Sequence, residues 1–164
     1  MSALVKDGRL YDDPFVDATG ADELPADGAV LVSLEQWQAH RDALLARGTP
    51  LGLKLRSDQP PDAIADDVAH FALIALEFPK FRDGRAYSYA RLLRERYGFR
   101  GELRAVGEVL LEQLHFMIRV GFDCFEIREP DPLAVYEAAL HDFSVWYQPT
   151  GDGRATAMQL RHRR

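Results

Sequence analysis

The sequence predicts an α/β protein of about five mainly parallel strands alternating with helices, preceded by a short β-hairpin. Three observations carry that prediction. Short apolar runs alternate with amphipathic stretches of helical period across residues 29–148. Glycines at 48, 98 and 121 follow the helical stretches, as helix stops should. The chain has 164 residues with 47% hydrophobic and 28% charged side chains, enough apolar mass for one core. An open doubly wound sheet and a partial βα barrel produce the same string, and both stand at this point. A partial barrel leaves two sheet edges open, so a homodimer, or an edge tucked under the N-terminal ribbon, is expected with it.

The elements follow in order. Asp7-Gly8 between Ala3-Leu4-Val5-Lys6 and Arg9-Leu10-Tyr11 is a hairpin turn signal. Residues 12–28, rich in Asp, Ala, Gly and Pro, read as a surface connection. Ala29 to Val32 is the first parallel strand. Ser33 with Gln36 makes a capping box that opens a helix with Leu34, Trp37, Leu44 and Leu45 on one stripe. Leu51 to Leu55 is the next strand, and Asp62 to His70 a short helix. Phe71 to Leu76 is a fully apolar run, as a central parallel strand requires. A helix from about Ala86 to Tyr97 follows, with Tyr89, Leu92, Leu93 and Tyr97 inward. Leu103 to Val106 and Asp123 to Ile127 are further strands, separated by a helix with Leu110, Leu114, Met117 and Ile118. Asp131-Pro132 opens the last helix, which carries Leu133, Tyr136, Leu140 and Phe143. One domain is expected over 1–148, with a mobile tail over 149–164.

Several function classes are excluded or disfavoured. The longest apolar run is too short to span a bilayer, and the charged N-terminus lacks a secretory pattern, so a cytoplasmic protein that engages no membrane is expected. The net charge of −6 and the lack of a recognised binding motif argue against nucleic acid. One cysteine, Cys124, rules out an intrachain disulfide or a Cys-ligated cluster, and its apolar neighbours make it a core residue. The five histidines lack zinc spacing, so no metal is expected. No dinucleotide or phosphate-loop fingerprint occurs, so no cofactor is expected either, and no nucleophile elbow is present.

The charge is segregated. Residues 80–104 hold eight cations against three acids in an otherwise acidic chain. Parallel α/β folds bind ligands at the carboxyl ends of their strands, so the loops there are the places to search. The loop after the third predicted strand, with Lys80, Arg82, Asp83 and Arg85 beside Ser88 at a helix start, is suited to a small oxyanion. Glu108 and Arg128 lie in the loops after the next two strands and complete this candidate set. An alternative is that Arg82 and Arg85 pair with neighbouring acids. Arg91, Arg94 and Arg96 form a candidate face for docking a protein partner.

Glu77-Phe78-Pro79-Lys80-Phe81, Asp83-Gly84-Arg85, Tyr87-Ser88, Ala90 to Arg96 and Gly101 to Gly107 together resemble a bacterial domain-of-unknown-function family. Its members are encoded beside assimilatory sulfite or nitrite reductase and are sometimes labelled oxidoreductases of sulfite reduction. Gln113-Leu114, Gly121-Phe122-Asp123 and Phe143-Ser144 also fit. Arg82 departs from the pattern, where a small polar residue is usual, as does Ala86, where glycine is usual. The resemblance implies a role in sulfur assimilation without supplying a mechanism. With no electron carrier of its own, the chain reads as an accessory protein of sulfite reduction that binds a small oxyanion, or docks sulfite reductase or its acidic electron donor. A small oxidoreductase or an anion-binding enzyme or sensor working through the Lys80–Ser88 loop is the alternative.

Overall fold

The computed structural model describes residues 2–162; Arg163 and Arg164, the end of the basic tail, lie outside them. The chain runs β1 (Ala3–Lys6), β2 (Arg9–Tyr11), β3 (Phe15–Asp17), β4 (Ala29–Ser33), α1 (Leu34–Ala46), β5 (Leu51–Leu55), β6 (Leu73–Phe78), α2 (Arg85–Arg91), β7 (Glu102–Gly107), α3 (Leu111–Val120), β8 (Cys124–Ile127), α4 (Pro132–His141) and α5 (Ala157–Arg161). One sheet contains all eight strands, in the order β2-β1-β8-β7-β6-β5-β4-β3. β3 to β8 are parallel and in sequence order, while β1 pairs antiparallel with both β8 and β2.

That order decides between the two expected architectures. Right-handed crossovers between consecutive neighbours put every helix on the same face. A doubly wound sheet needs a reversal of strand order, and this sheet has none, so it curls as a half-barrel. There are also more strands than the five expected. The hairpin joins the sheet at β8, as a ribbon tucked against an open edge should. β3 was hidden in the stretch read as a surface connection, because only three residues pair and Val16 and Asp17 are exposed.

Period-two alternation divides the sheet. Val5, Val30, Val32, Leu53, Leu55, Ile74, Leu76, Phe78, Leu103, Ala105, Phe125 and Ile127 face the helices and pack with Trp37, Leu44, Ala90, Leu93, Leu114, Met117 and Tyr136. The other face has no helix over it. Its apolar part is small, with Leu31, Leu73 and Ala75 packed against Phe15 and Val106. Most of the other positions on it are polar or charged, among them Lys6, Ser33, Lys54, Glu77, Glu102, Arg104 and Glu126.

Two helical expectations resolve differently. Asp62–His70 forms two 3₁₀ turns, Pro61–Ile64 and Val68–His70. The helix after β6 starts at Arg85 and closes with a π turn over Leu92–Arg96, where Tyr97 N–H donates to the Leu92 carbonyl at 3.0 Å. The capping box holds: Ser33 Oγ accepts from Gln36 N–H at 3.2 Å, and Gln36 Oε1 accepts from Ser33 N–H at 2.8 Å.

Gly107 closes β7 at φ +93°, and a Cβ there would lie 2.5 Å from the Phe78 carbonyl oxygen. This close approach lets Glu108 N–H donate to that oxygen at 2.7 Å and fixes where the loop after β7 leaves the sheet. Gly107→Ala is therefore expected to destabilise the protein by about 2 kcal/mol or more, read by urea unfolding.

Candidate functional site

The loop after β6 folds onto itself. Arg85 donates to Asp83 through Nε at 2.9 Å and Nη2 at 2.7 Å, and Nη2 also donates to Ser57 Oγ at 3.0 Å. Arg85, with the Ser57 hydroxyl, holds the Asp83 carboxyl well below the usual carboxylate range. Glu108 Oε2 accepts from Phe81 N–H at 2.6 Å, tying the loop after β7 to this one. Lys80, Arg82 and Ser88 are exposed, and among the described residues neither cation has a carboxylate partner. Arg128, the last of the oxyanion set, is exposed on the far side of β7 and lies 3.7 Å from Glu126. The structure thus brings Asp83, Arg85 and Glu108 into one loop network and leaves Arg128 apart.

The arginines of the docking set fall into different environments. Arg91 pairs with Glu95 on the surface at 2.9 Å, and Arg96 is exposed with its guanidinium over the Tyr97 ring. Arg94 is turned inward with its side chain only 18% exposed. It donates to the Phe99, Gly101 and Gly121 carbonyls at 3.0, 2.9 and 2.9 Å, and to Asp123 Oδ2 at 2.8 Å. Burial pushes the Asp123 carboxyl up, against the Leu103 amide and Arg94, which favour its charge. Arg94 packs so closely over Gly121, in left-handed conformation at φ +109°, that a Cβ there would meet its Cγ at 2.6 Å. Arg94→Ala is expected to cost about 3 kcal/mol in urea unfolding by orphaning these carbonyls and Asp123. Arg91→Ala should change stability by under about 0.5 kcal/mol.

The helix-free sheet face holds polar groups that residue patterns did not single out. At its centre Arg104, 3% exposed, donates to both Asp13 oxygens at 2.6 and 2.9 Å and to Glu102 at 2.8 Å. Lys6 Nζ donates to the other Glu102 oxygen at 2.7 Å. Cys124 lies on the same face, fully buried, and burial beside Glu102 pushes its thiol well up, away from thiolate chemistry. Toward the carboxyl ends of β4 to β6 lies a cleft of about 200 Å³ lined by Thr19, Ser33, Glu35, Lys54, Arg56, Gln59 and Glu77. Glu35 Oε1 accepts from Arg56 Nη1 at 2.8 Å and from Gln59 Nε2 at 2.9 Å, which braces one wall. Among the described residues, Lys54 and Glu77 make no side-chain hydrogen bond or ion pair. The signal in the sequence was the period-two placing of Lys54 and Glu77 in otherwise apolar strands. No group of three or more His, Cys, Asp or Glu among the described residues is placed to hold a metal ion.

From Pro149 onward the described chain packs back on α3. Arg119, 6% exposed, donates to Asp152 at 2.9 Å and to the Gln148 carbonyl at 2.8 Å. The Arg119 and Arg154 guanidinium groups lie 5.0 and 4.9 Å from the centroid of the Trp146 ring, which donates its Nε1–H to His115 Nε2. That bond needs a neutral imidazole. Burial, with Arg119 and Arg154 nearby, lowers the His115 pKa below its ordinary 6.5. The contribution is therefore present above about pH 6.5 and is lost as pH falls through the lower folded value, because the unfolded chain takes the proton first. Carboxylates also face this ring, Asp142 and Asp152, and they oppose the shift. In NMR, the Trp146 indole N–H resonance is expected to hold its position at pH 7 and to move as the pH is lowered and His115 takes up a proton, while that of Trp37, bonded to Asp67, stays put.

No curated protein matches the chain. A family model described as a bacterial protein of unknown function, DUF934, matches residues 52–158, from β5 to α5 and so through both the loop network and most of the helix-free face. The match covers well over half of the sequence, and the chain belongs to that family.

Proposed function

We propose that this protein is an accessory factor of assimilatory sulfite reduction that docks an acidic partner, sulfite reductase or its electron donor, on the outer surface of α2 and its π turn. The sulfur assignment rests on the resemblance of the Glu77–Gly107 string. The docking mode rests on one observation: the cations of the basic block divide into those consumed inside the protein and those left to solvent. Arg85, Arg94 and Arg104 are bound by Asp83, Asp123, Asp13 and Glu102. Arg96 and Arg100 are exposed and have no carboxylate partner among the described residues, and Arg91 holds only a surface pair. Arg91 and Arg96 rim a shallow groove floored by Leu92, and Arg100 rims the next, across Glu95. Exposed cations around an apolar strip favour rapid, salt-sensitive encounter with an acidic surface. The oxyanion reading is weaker, because Arg85 already satisfies Asp83 in bidentate fashion and has little left to offer an anion.

The test is the double charge reversal Arg96→Glu/Arg100→Glu, which leaves every internal bond of Arg94 in place. Association with sulfite reductase and its acidic donor, measured by calorimetry at low and high salt, is expected to weaken about tenfold or more and to lose most of its salt dependence. Unchanged affinity and an unchanged salt slope would overturn the docking mode.

A further inference from the structure

On the helix-free face, Lys6 is matched to Glu102 at 2.7 Å, Arg104 to Glu102 and Asp13 at 2.7 and 2.6 Å, and Arg56 to Glu35 at 2.8 Å. Arg9, opposite Lys6 on the edge strand β2, is exposed to solvent, whereas Lys54 lies inside the sheet, partly buried and without a carboxylate partner among the described residues. Its neighbour in register on β6 is Ala75, and Glu77 lies two residues further along the same face. Strand spacing and rise put the two Cα atoms roughly 8 Å apart. Lys54 and Glu77 face the same cleft without forming an ion pair. Both are partly buried, so each leaves some hydration unreplaced.

We propose that this cleft binds a small zwitterion of amino-acid size, its carboxylate on the Lys54 ammonium and its ammonium group on the Glu77 carboxylate. Three features select that class. The cleft is formally neutral, Lys54 and Arg56 against Glu35 and Glu77, so neither a polyanion nor a simple cation is matched to it. Its unpaired charges are of opposite sign and separated, which calls for a ligand carrying both. Its volume of about 200 Å³ is below the usual range for drug-sized ligands and matches a molecule of amino-acid size. Ser33 Oγ accepts from Gln36 N–H at the edge of the cleft, and Arg56 and Gln59 hold Glu35 in place as a wall. The position, at the carboxyl ends of consecutive parallel strands, is where such sheets present ligands.

The test titrates the whole protein with the coded amino acids and with their des-amino and decarboxylated analogues at matched ionic strength, following thermal unfolding and the side-chain NMR signals of Lys54 and Glu77. At least one amino acid should raise the unfolding midpoint and shift both signals, while its two singly charged analogues should do neither. Lys54→Met and Glu77→Gln should each weaken binding about tenfold or more, with the ligand-free midpoint little changed. The proposal fails if no amino acid shifts these signals at millimolar concentration, if a singly charged analogue binds equally well, or if affinity survives in a folded variant. Should a variant unfold, the wild-type NMR shifts decide: perturbation confined to residues away from the cleft overturns the assignment.

Discussion

Six parallel strands in sequence order leave one face of the sheet without helices, and the Arg104 guanidinium is what makes that face stable. A parallel sheet normally buries both faces. Here the uncovered face has only a small apolar cluster, and its middle is a buried cation that must be neutralised where it lies. Asp13 and Glu102 do so, and Lys6 completes the second carboxylate. Burial opposes the charge on Arg104, and Asp13 and Glu102 outweigh it, raising its pKa above the ordinary arginine value. The same bonds secure the N-terminal hairpin and the segment leading into β3 to the central strand β7. The N-terminal segment is thus held to the middle of the sheet by ionic contacts as well as by backbone pairing, while β2 and β3 stand at the two edges.

This constraint sorts the charges of the molecule. A cation block that looks uniform along the chain divides into three uses. Arg94 and Arg104 hold the fold together from inside, Arg85 locks the loop after β6 to Ser57 and Asp83, and Arg91, Arg96 and Arg100 stay on the surface of α2, its π turn and the segment that follows. Surface pairs of the Arg91–Glu95 kind contribute little to stability, so selection for folding alone does not account for exposed arginines there. On the opposite side of the sheet, Lys54 and Glu77 are the charged pair that the internal network leaves out.

Much of the frame was legible in local sequence. Asp7-Gly8, with φ of +51° and +72°, Ser33 with Gln36, and the left-handed Gly98 and Gly121 each set one boundary through neighbours within a few residues. What escaped depends on distant partners. Arg94 reads as a surface residue at its helical spacing, yet its carboxylate, Asp123, is 29 residues on. Arg104 finds Asp13 at a separation of 91. β3 pairs through too few residues to leave a pattern, and Asp67, between the two 3₁₀ turns, finds its partners Trp37 and Arg41 at separations of 30 and 26. In β6 the run of apolar residues conceals that Leu73, Ala75 and Glu77 face away from every helix, so the cleft became visible only with the register.

The sequence contains three lysines, each in a different state: Lys80 exposed on a loop, Lys54 unpaired in an open cleft, and Lys6 held by Glu102. Burial pulls the Lys6 ammonium down, and the hydrogen bond and charge of Glu102 more than offset it, leaving its pKa raised and the amine less reactive. The most direct measurement is the rate of acylation of each lysine in the native protein, read by mass spectrometry of proteolytic fragments. Lys80 is expected to react first, Lys54 at a comparable rate, and Lys6 far more slowly. Protection of Lys54 equal to that of Lys6 would mean that the helix-free face is covered or its charges are paired, and would contradict an unpaired Lys54 in an open cleft.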